Sequence, residues 1–139
     1  MAKYNNDTEV LKTYMKTEYM DSEQQFYFKQ KLEDDKKNLL DRIESVKEEI
    51  SHLKSNESDI NDNATVDEIL NRNLSLVQRQ TKLLHKIEHA LDKIATGEYG
   101  YCEKTGEPIG IPRLLARPTS TLSIEAKEHQ ELLEKRDEQ

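Results

Sequence analysis

Between Asp21 and Leu53 the apolar residues return at helical intervals: Leu32, Leu39, Ile43, Val46, Ile50 and Leu53 follow one another at spacings of 7, 4, 3, 4 and 3. Such spacing is the seam of a helix that faces another helix. Asp21 is suited to cap it, with Gln24 three residues on in the capping-box position. The seam breaks at residues 55–64, SNESDINDNA, whose Asn, Asp and Ser side chains compete for backbone hydrogen bonds and favour a turn. A second seam then runs through Leu70, Val77, Leu84 and Leu91, with Val66, Ile87 and Ile94 interleaved and Thr65 and Glu68 as its opening. Two seams of matching length with a short polar link predict an antiparallel helical hairpin, about 30 residues per arm and so roughly 45 Å long. A continuous dimeric coiled coil would need the seam to persist through residues 55–64. Asn73 and Gln80 put a polar layer into the second seam, which weakens its middle and can set its register.

Glycine and proline divide the chain. Gly97, Gly100, Gly106, Gly110, Pro108, Pro112 and Pro118 account for all of both types, and residues 1–96 contain none. Long helices are therefore possible before residue 97 and a turn-rich module is required after it. The fold class is mostly α: a long antiparallel helical-hairpin coiled coil over residues 21–96 with its tip at 55–64, then a small turn-rich globular module with a C-terminal helix over residues 97–139. That last helix spans about Thr121 to Arg136. Residues 1–20, polar with scattered Tyr4, Tyr14, Met15, Tyr19 and Met20, predict a short helix or tail packing on the head. Tyr99, Tyr101, Ile109, Ile111, Leu114, Leu115 and Leu122 are the expected core of that head.

Composition narrows the function classes. Hydrophobic residues are 34% of the 139 and charged residues 35%, too few apolar side chains for a large compact core. No apolar run approaches the roughly 20 residues of a membrane span, and the N-terminus lacks a signal-peptide stretch, so a cytoplasmic location is expected. One cysteine excludes an internal disulfide. A net charge of −7 argues against affinity driven by DNA phosphates.

Candidate chemistry lies at three places. From Ser55 to Asn71 stand Glu57, Asp59, Asp62, Asp67 and Glu68 with no basic residue among them. Helix N-termini welcome acids, which accounts for Asp67 and Glu68 but leaves Asp59 and Asp62 in the turn, placed to approach a metal or cationic pocket of a partner. Arg79, Lys82 and Lys86, spaced i, i+3, i+7, share one helical face, and Arg113, Arg117 and Lys127 follow in the head. A solvated face is the plain reading; an anion site for a multiply phosphorylated ligand is the sharper one. His85 and His89 are spaced for a shared metal but lack the further ligands zinc requires.

The run GEYGYCEKTGEPIGIPRLLARPTSTLSIEAKEH resembles the zinc-finger module of the DksA/TraR family of RNA polymerase-binding transcription factors, usually YGYCxxCGxxIGxxRLxARPxxxxCxxC. Asp59, Asp62 and Ala64 match the D-x-x-D-x-A motif that this family carries at its hairpin tip. Together with RNLSLVQRQTKLLHKIE, the resemblance spans about residues 19–136. It departs at the metal: Cys102, Thr105, Ser123 and Ala126 occupy the four zinc-ligand positions, so the C-x2-C-x17-C-x2-C frame keeps only its first ligand. A single thiolate cannot close a tetrahedral structural site, and a zinc-free head, less dependent on redox state and zinc supply, is expected. Activity that fell with a chelator or peroxide would contradict this.

The resemblance implies a regulator that is not an enzyme. Its hairpin would enter the secondary channel of RNA polymerase and place Asp59, Asp62 and Ala64 near the catalytic region, modulating initiation at ribosomal RNA promoters in the stringent response without binding DNA. It implies guanosine tetraphosphate (ppGpp) as effector at Arg79, Lys82, Lys86, Arg117 and Lys127, the positions that match the family's. A monomer is expected, because a hairpin seals its own seam. Two other classes fit parts of the pattern: a Gre-type transcript-cleavage stimulator, which pairs an acidic hairpin with a β-rich domain, and a plain helical scaffold.

Overall fold

The computed structural model describes residues 3–55 and 63–138, and the side chains of Asn63 and Ala64 lie outside that description. The chain is mostly helical, with no strand among the described residues. Its helices are α1 (Asp7–Thr13), α2 (Ser22–Ser55), α3 (Asn63–Thr96), α4 (Ile111–Ala116) and α5 (Ile124–Asp137), with a 3-10 turn at Tyr14–Lys16. The two long helices, 34 residues each, pack as an antiparallel hairpin. Two compact units result, one of Met1–Glu33 with His89–Gln139, the other of Asp34–Glu88.

In the unit Asp34–Glu88 the expected seam is real but uneven. Leu39, Ile43 and Ile50 of α2 are buried, while Val46 and Leu53 are half-buried. On α3 Val66 and Ile87 are buried, whereas Leu70, Val77 and Leu84 are half-buried. The helix opens at Asn63, two residues before the expected Thr65.

The other unit is built from caps inward. Asn6 Oδ1 accepts from Glu9 N at 2.9 Å and Glu9 Oε2 accepts from Asn5 N at 2.8 Å, which starts α1 by satisfying donors at its N-terminus. Asp21 Oδ1 accepts from Gln24 N at 2.9 Å and starts α2 as the capping box predicts. Gln24 goes further: fully buried, it accepts from Met20 N at 2.8 Å and donates to Thr17 Oγ1 at 2.8 Å. Gln25 Nε2 donates to Met20 O at 2.7 Å, so two side chains hold the backbone of Met20, which adopts a left-handed φ of 55°.

Phe28 and Leu32 of α2 form the centre of this core with Val10, Ile111 and Leu114. The Phe28 ring sits 5.6 Å from that of Tyr99 and 5.8 Å from that of Tyr27. At its edge the Asp7 carboxylate accepts from the Tyr27 hydroxyl and from Lys31 Nζ at 2.9 Å, and Lys31 also donates to Leu115 O at 3.3 Å. α1, α2 and α4 are thereby tied together. Burial pushes the Asp7 carboxyl up, but the bonds from Tyr27 and Lys31 outweigh it and hold it below the usual range.

α3 ends in a Schellman turn: Gly97 takes φ 81°, Glu98 N donates to Lys93 O at 2.8 Å and Gly97 N to Ile94 O at 3.2 Å. Of the seven residues expected in the head core, Tyr99, Ile109, Ile111, Leu114 and Leu115 are buried, while Tyr101 and Leu122 are only half-buried. Gly100 has φ 93°, and a Cβ there would lie 2.9 Å from Met20 Cγ and 3.1 Å from Tyr19 Oη. Gly100→Ala is expected to cost about 2–3 kcal/mol in urea denaturation through both the backbone and the displaced side chains. Gly106→Ala, whose Cβ would meet nothing within 4 Å, is expected to cost only the backbone part, about 1 kcal/mol.

Candidate functional site

Asp59 and Asp62 lie outside the described residues. Ala64 is in the first turn of α3, and Asp67 and Glu68 are exposed in the turn that follows. Because α3 opens at Asn63, no acid stands in its first turn, and the expectation that the helix N-terminus accounts for Asp67 and Glu68 is not met.

Arg79, Lys82 and Lys86 lie exposed on α3 within the unit Asp34–Glu88. Their spacing keeps three cations on one face. Arg117, exposed at the C-cap of α4, and Lys127, half-buried in the first turn of α5, belong to the other unit. Among the described residues no ion pair engages any of the five side chains. Cations without an ion-pair partner are suited to phosphate oxygens, because no existing ion pair must be broken to receive them.

The four zinc-ligand positions can be tested against the metal directly. Cys102 is buried at 3% exposure and is the one sulfur donor. Ser123 Oγ already accepts from Ala126 N at 3.2 Å as the N-cap of α5, and Thr105 Oγ1 accepts from Glu107 N at 3.3 Å. Ala126 has no donor atom at all. One thiol, two neutral hydroxyls and a methyl do not make a zinc site, and among the described residues no group of three His, Cys, Asp or Glu is placed to hold a metal. Burial pushes the Cys102 thiol up, but hydrogen bonds from the Thr105 hydroxyl and from the N–H groups of Ser123, Thr105 and Lys104 outweigh it and hold it at about 6.

Hydrogen bonds among protein groups join the segments that four cysteines would otherwise gather. Glu103 N donates to Thr121 O at 2.8 Å, Arg113 Nε to Leu122 O at 3.1 Å and the Tyr99 hydroxyl to Pro118 O at 2.7 Å. The Tyr19 hydroxyl donates to Gly100 O at 2.5 Å and accepts from Gly110 N at 3.0 Å, pinning both ends of the turn that carries Cys102. On α3, His89 Nε2 meets Glu103 Oε1 at 2.7 Å and Lys93 Nζ reaches the same oxygen at 3.1 Å. His89 therefore contacts Glu103, on the turn after Gly100. The His89 and Lys93 contacts hold the Glu103 carboxyl below its ordinary range against the opposing effect of burial.

Tyr19 and Glu103 were absent from the sequence-derived site. Tyr19 stands in a polar stretch with no periodic signature, and Glu103 is one acid among many. The only hint for Glu103 is the pair His89 and Lys93, four residues apart on one face and near enough in the chain to reach the turn after Gly100.

Comparison with known proteins covers nearly the whole chain. Residues 24–94 match the family profile described as DnaK suppressor protein DksA, N-terminal domain, and residues 97–131 match the prokaryotic dksA/traR C4-type zinc finger. The chain is 43% identical over 120 residues to the RNA polymerase-binding transcription factor DksA of Caulobacter vibrioides, covering 84% of this chain and 82% of that one. It is 36% identical over 118 residues to the protein of the same name from Escherichia coli strain K12, covering 85% and 78%. Among solved structures it is similar to transcription factor DksA2 from Pseudomonas aeruginosa, with a TM-score of 0.79 and 47% identity over 84% of this chain and 90% of that one.

Proposed function

The chain belongs to the DksA/TraR family, and from that premise we propose that it binds RNA polymerase directly, in the cytoplasm and as a monomer, and modulates transcription initiation without binding DNA. The observation that carries the reading is one chain holding two motifs at once: D-x-x-D-x-A between the two 34-residue helices in sequence and running into the second, and the family's finger frame after the second helix. The hairpin tip enters the polymerase secondary channel, and Asp59, Asp62 and Ala64 act on the catalytic region without chemistry of their own. The head ends in α4 and α5 rather than in a β-rich domain, which favours this reading over a Gre-type cleavage stimulator.

Guanosine tetraphosphate is the proposed effector, held by Arg79, Lys82, Lys86, Arg117 and Lys127. Zinc is not part of the working protein, because the donor set does not fit it. In vitro transcription from a ribosomal RNA promoter, with and without the alarmone, tests the whole. Wild-type protein is expected to lower transcript yield and to lower it further with alarmone. Lys86→Ala is expected to weaken the alarmone response about 10-fold or more, the cost of one charge-assisted bond to phosphate, with little change without it. Failure of the protein to co-purify with polymerase would end the reading.

A further inference from the structure

Val66 and Ile87 of α3 are almost fully enclosed, at 2% and 3% exposure, yet α3 buries no apolar side chain between them. Its one buried residue in that interval is Asn73, at 9% exposure. Leu70, Val77 and Leu84 are half-buried, and Leu74 and Leu83 are exposed at 46% and 43%. Over the same unit α2 buries Leu39, Ile43 and Ile50, so the thin packing belongs to α3.

The polar atoms in this interval are unsatisfied as well. Asn73 Nδ2 and Gln80 Oε1 are enclosed with no hydrogen-bond partner. Two turns separate them, about 10 Å along the axis, so they cannot satisfy one another. Turning either amide over would put the other kind of atom into the same enclosed spot. A register-setting Asn gains its effect by pairing across a seam; here the closed form keeps the desolvation cost of Asn73 Nδ2 and Gln80 Oε1 with no hydrogen bond to offset it. Opening the interval lets water reach a donor and an acceptor at once while giving up little apolar burial on the α3 side.

We propose that residues 67–86 of α3 form a yielding joint in the hairpin, parting from α2 more readily than the stretch that begins at Ile87. The inference stands apart from the polymerase reading, because it uses only the packing of the hairpin. Its use would be to let the spacing of the two helices adapt to the walls of whatever receives them.

Hydrogen–deuterium exchange of the full chain at neutral pH, resolved by fragment mass spectrometry, tests it. Amides of residues 70–84 are expected to exchange about tenfold faster than those of residues 87–95. The double variant Asn73→Leu with Gln80→Leu is expected to bring the two stretches to within about threefold and to raise the melting temperature. Equal exchange in the wild type overturns the proposal, and so does a monomeric, helical double variant that keeps the wild-type difference. Should the double variant dimerise, Asn73→Leu alone, which keeps Gln80 as a polar mark against association, replaces it: a narrowed difference supports the joint and an unchanged one overturns it.

Discussion

Asp62→Asn is expected to abolish the effect on transcription while leaving affinity for RNA polymerase within about twofold. The substitution keeps size, exchanges one acceptor oxygen for an NH2 donor and removes one charge from the segment that links the two long helices in sequence. The residues that would dock the protein, on the hairpin flanks and the head, stay as they are, so occupancy should hold. On the proposed reading, what changes is the contact that the Asp62 carboxylate makes with the partner near its catalytic region. Removing a charged partner from such a contact costs about 1.5–3 kcal/mol, enough for a 10- to 100-fold loss of effect. Transcript yield and polymerase affinity must be measured on the same preparation. Asp67→Asn supplies the control: this acid is exposed on α3, outside the D-x-x-D-x-A motif, and its loss should leave the yield unchanged. If Asp62→Asn instead lowers affinity in proportion to effect, the tip is an anchor and the proposed division between binding and action is wrong.

Phe28→Ala is expected to lower stability by about 3–5 kcal/mol, the usual cost of emptying an aromatic site in a packed core. At about 4–8 °C per kcal/mol for a domain of about 60–100 residues, the melting transition should fall by roughly 12–40 °C. Phe28 has no exposed surface and lies between the rings of Tyr27 and Tyr99, with Leu32, Ile111 and Leu114 among the fully enclosed side chains of the same unit. The head's donor set does not fit zinc, so packing has to supply the stability that a zinc-bound finger takes from coordination. Phe26 stands two residues earlier on the same helix and is 39% exposed. Phe26→Ala should change stability by only about 0.5–1 kcal/mol. Thermal denaturation followed by circular dichroism separates the two, and equal shifts would mean that the core is not where the burial pattern puts it.

Much of this was legible in advance, for identifiable reasons. The absence of glycine and proline before residue 97 permits two long helices, the first ending at Ser55 and the second beginning at Asn63; residues 56–62 of the expected tip lie outside the described residues. Asp21 and Gln24 announced the start of α2, and both bonds of a capping interaction are present. The second bond goes to Met20 rather than to Asp21, because Met20 turns left-handed and brings its N–H to the buried Gln24 side chain. α3 starts before Thr65, and α4 was not anticipated. IPRLLA is only six residues long, and its helix follows from Pro112 in the first turn and from burying Ile111, Leu114 and Leu115 together. The five basic residues were legible as a row on α3 and a pair in the head, but a row of cations looks the same in sequence whether it is solvated or binds an anion.

The sequence by itself determined where helix can run, which faces of the hairpin are apolar, and that three of four metal-ligand positions cannot coordinate zinc. These are matters of residue type and of spacings within a few turns, which a chain carries wherever it is folded. Only the tertiary structure decided that Tyr19 bridges Gly100 and Gly110, 81 and 91 residues away, that Glu103 is held by His89 and Lys93, and that Asn73 Nδ2 and Gln80 Oε1 are enclosed without a hydrogen bond. A hydroxyl or amide has no preferred partner until other segments are packed against it. Its hydrogen bonds are settled by which donors and acceptors long-range folding brings within about 3 Å and shields from water.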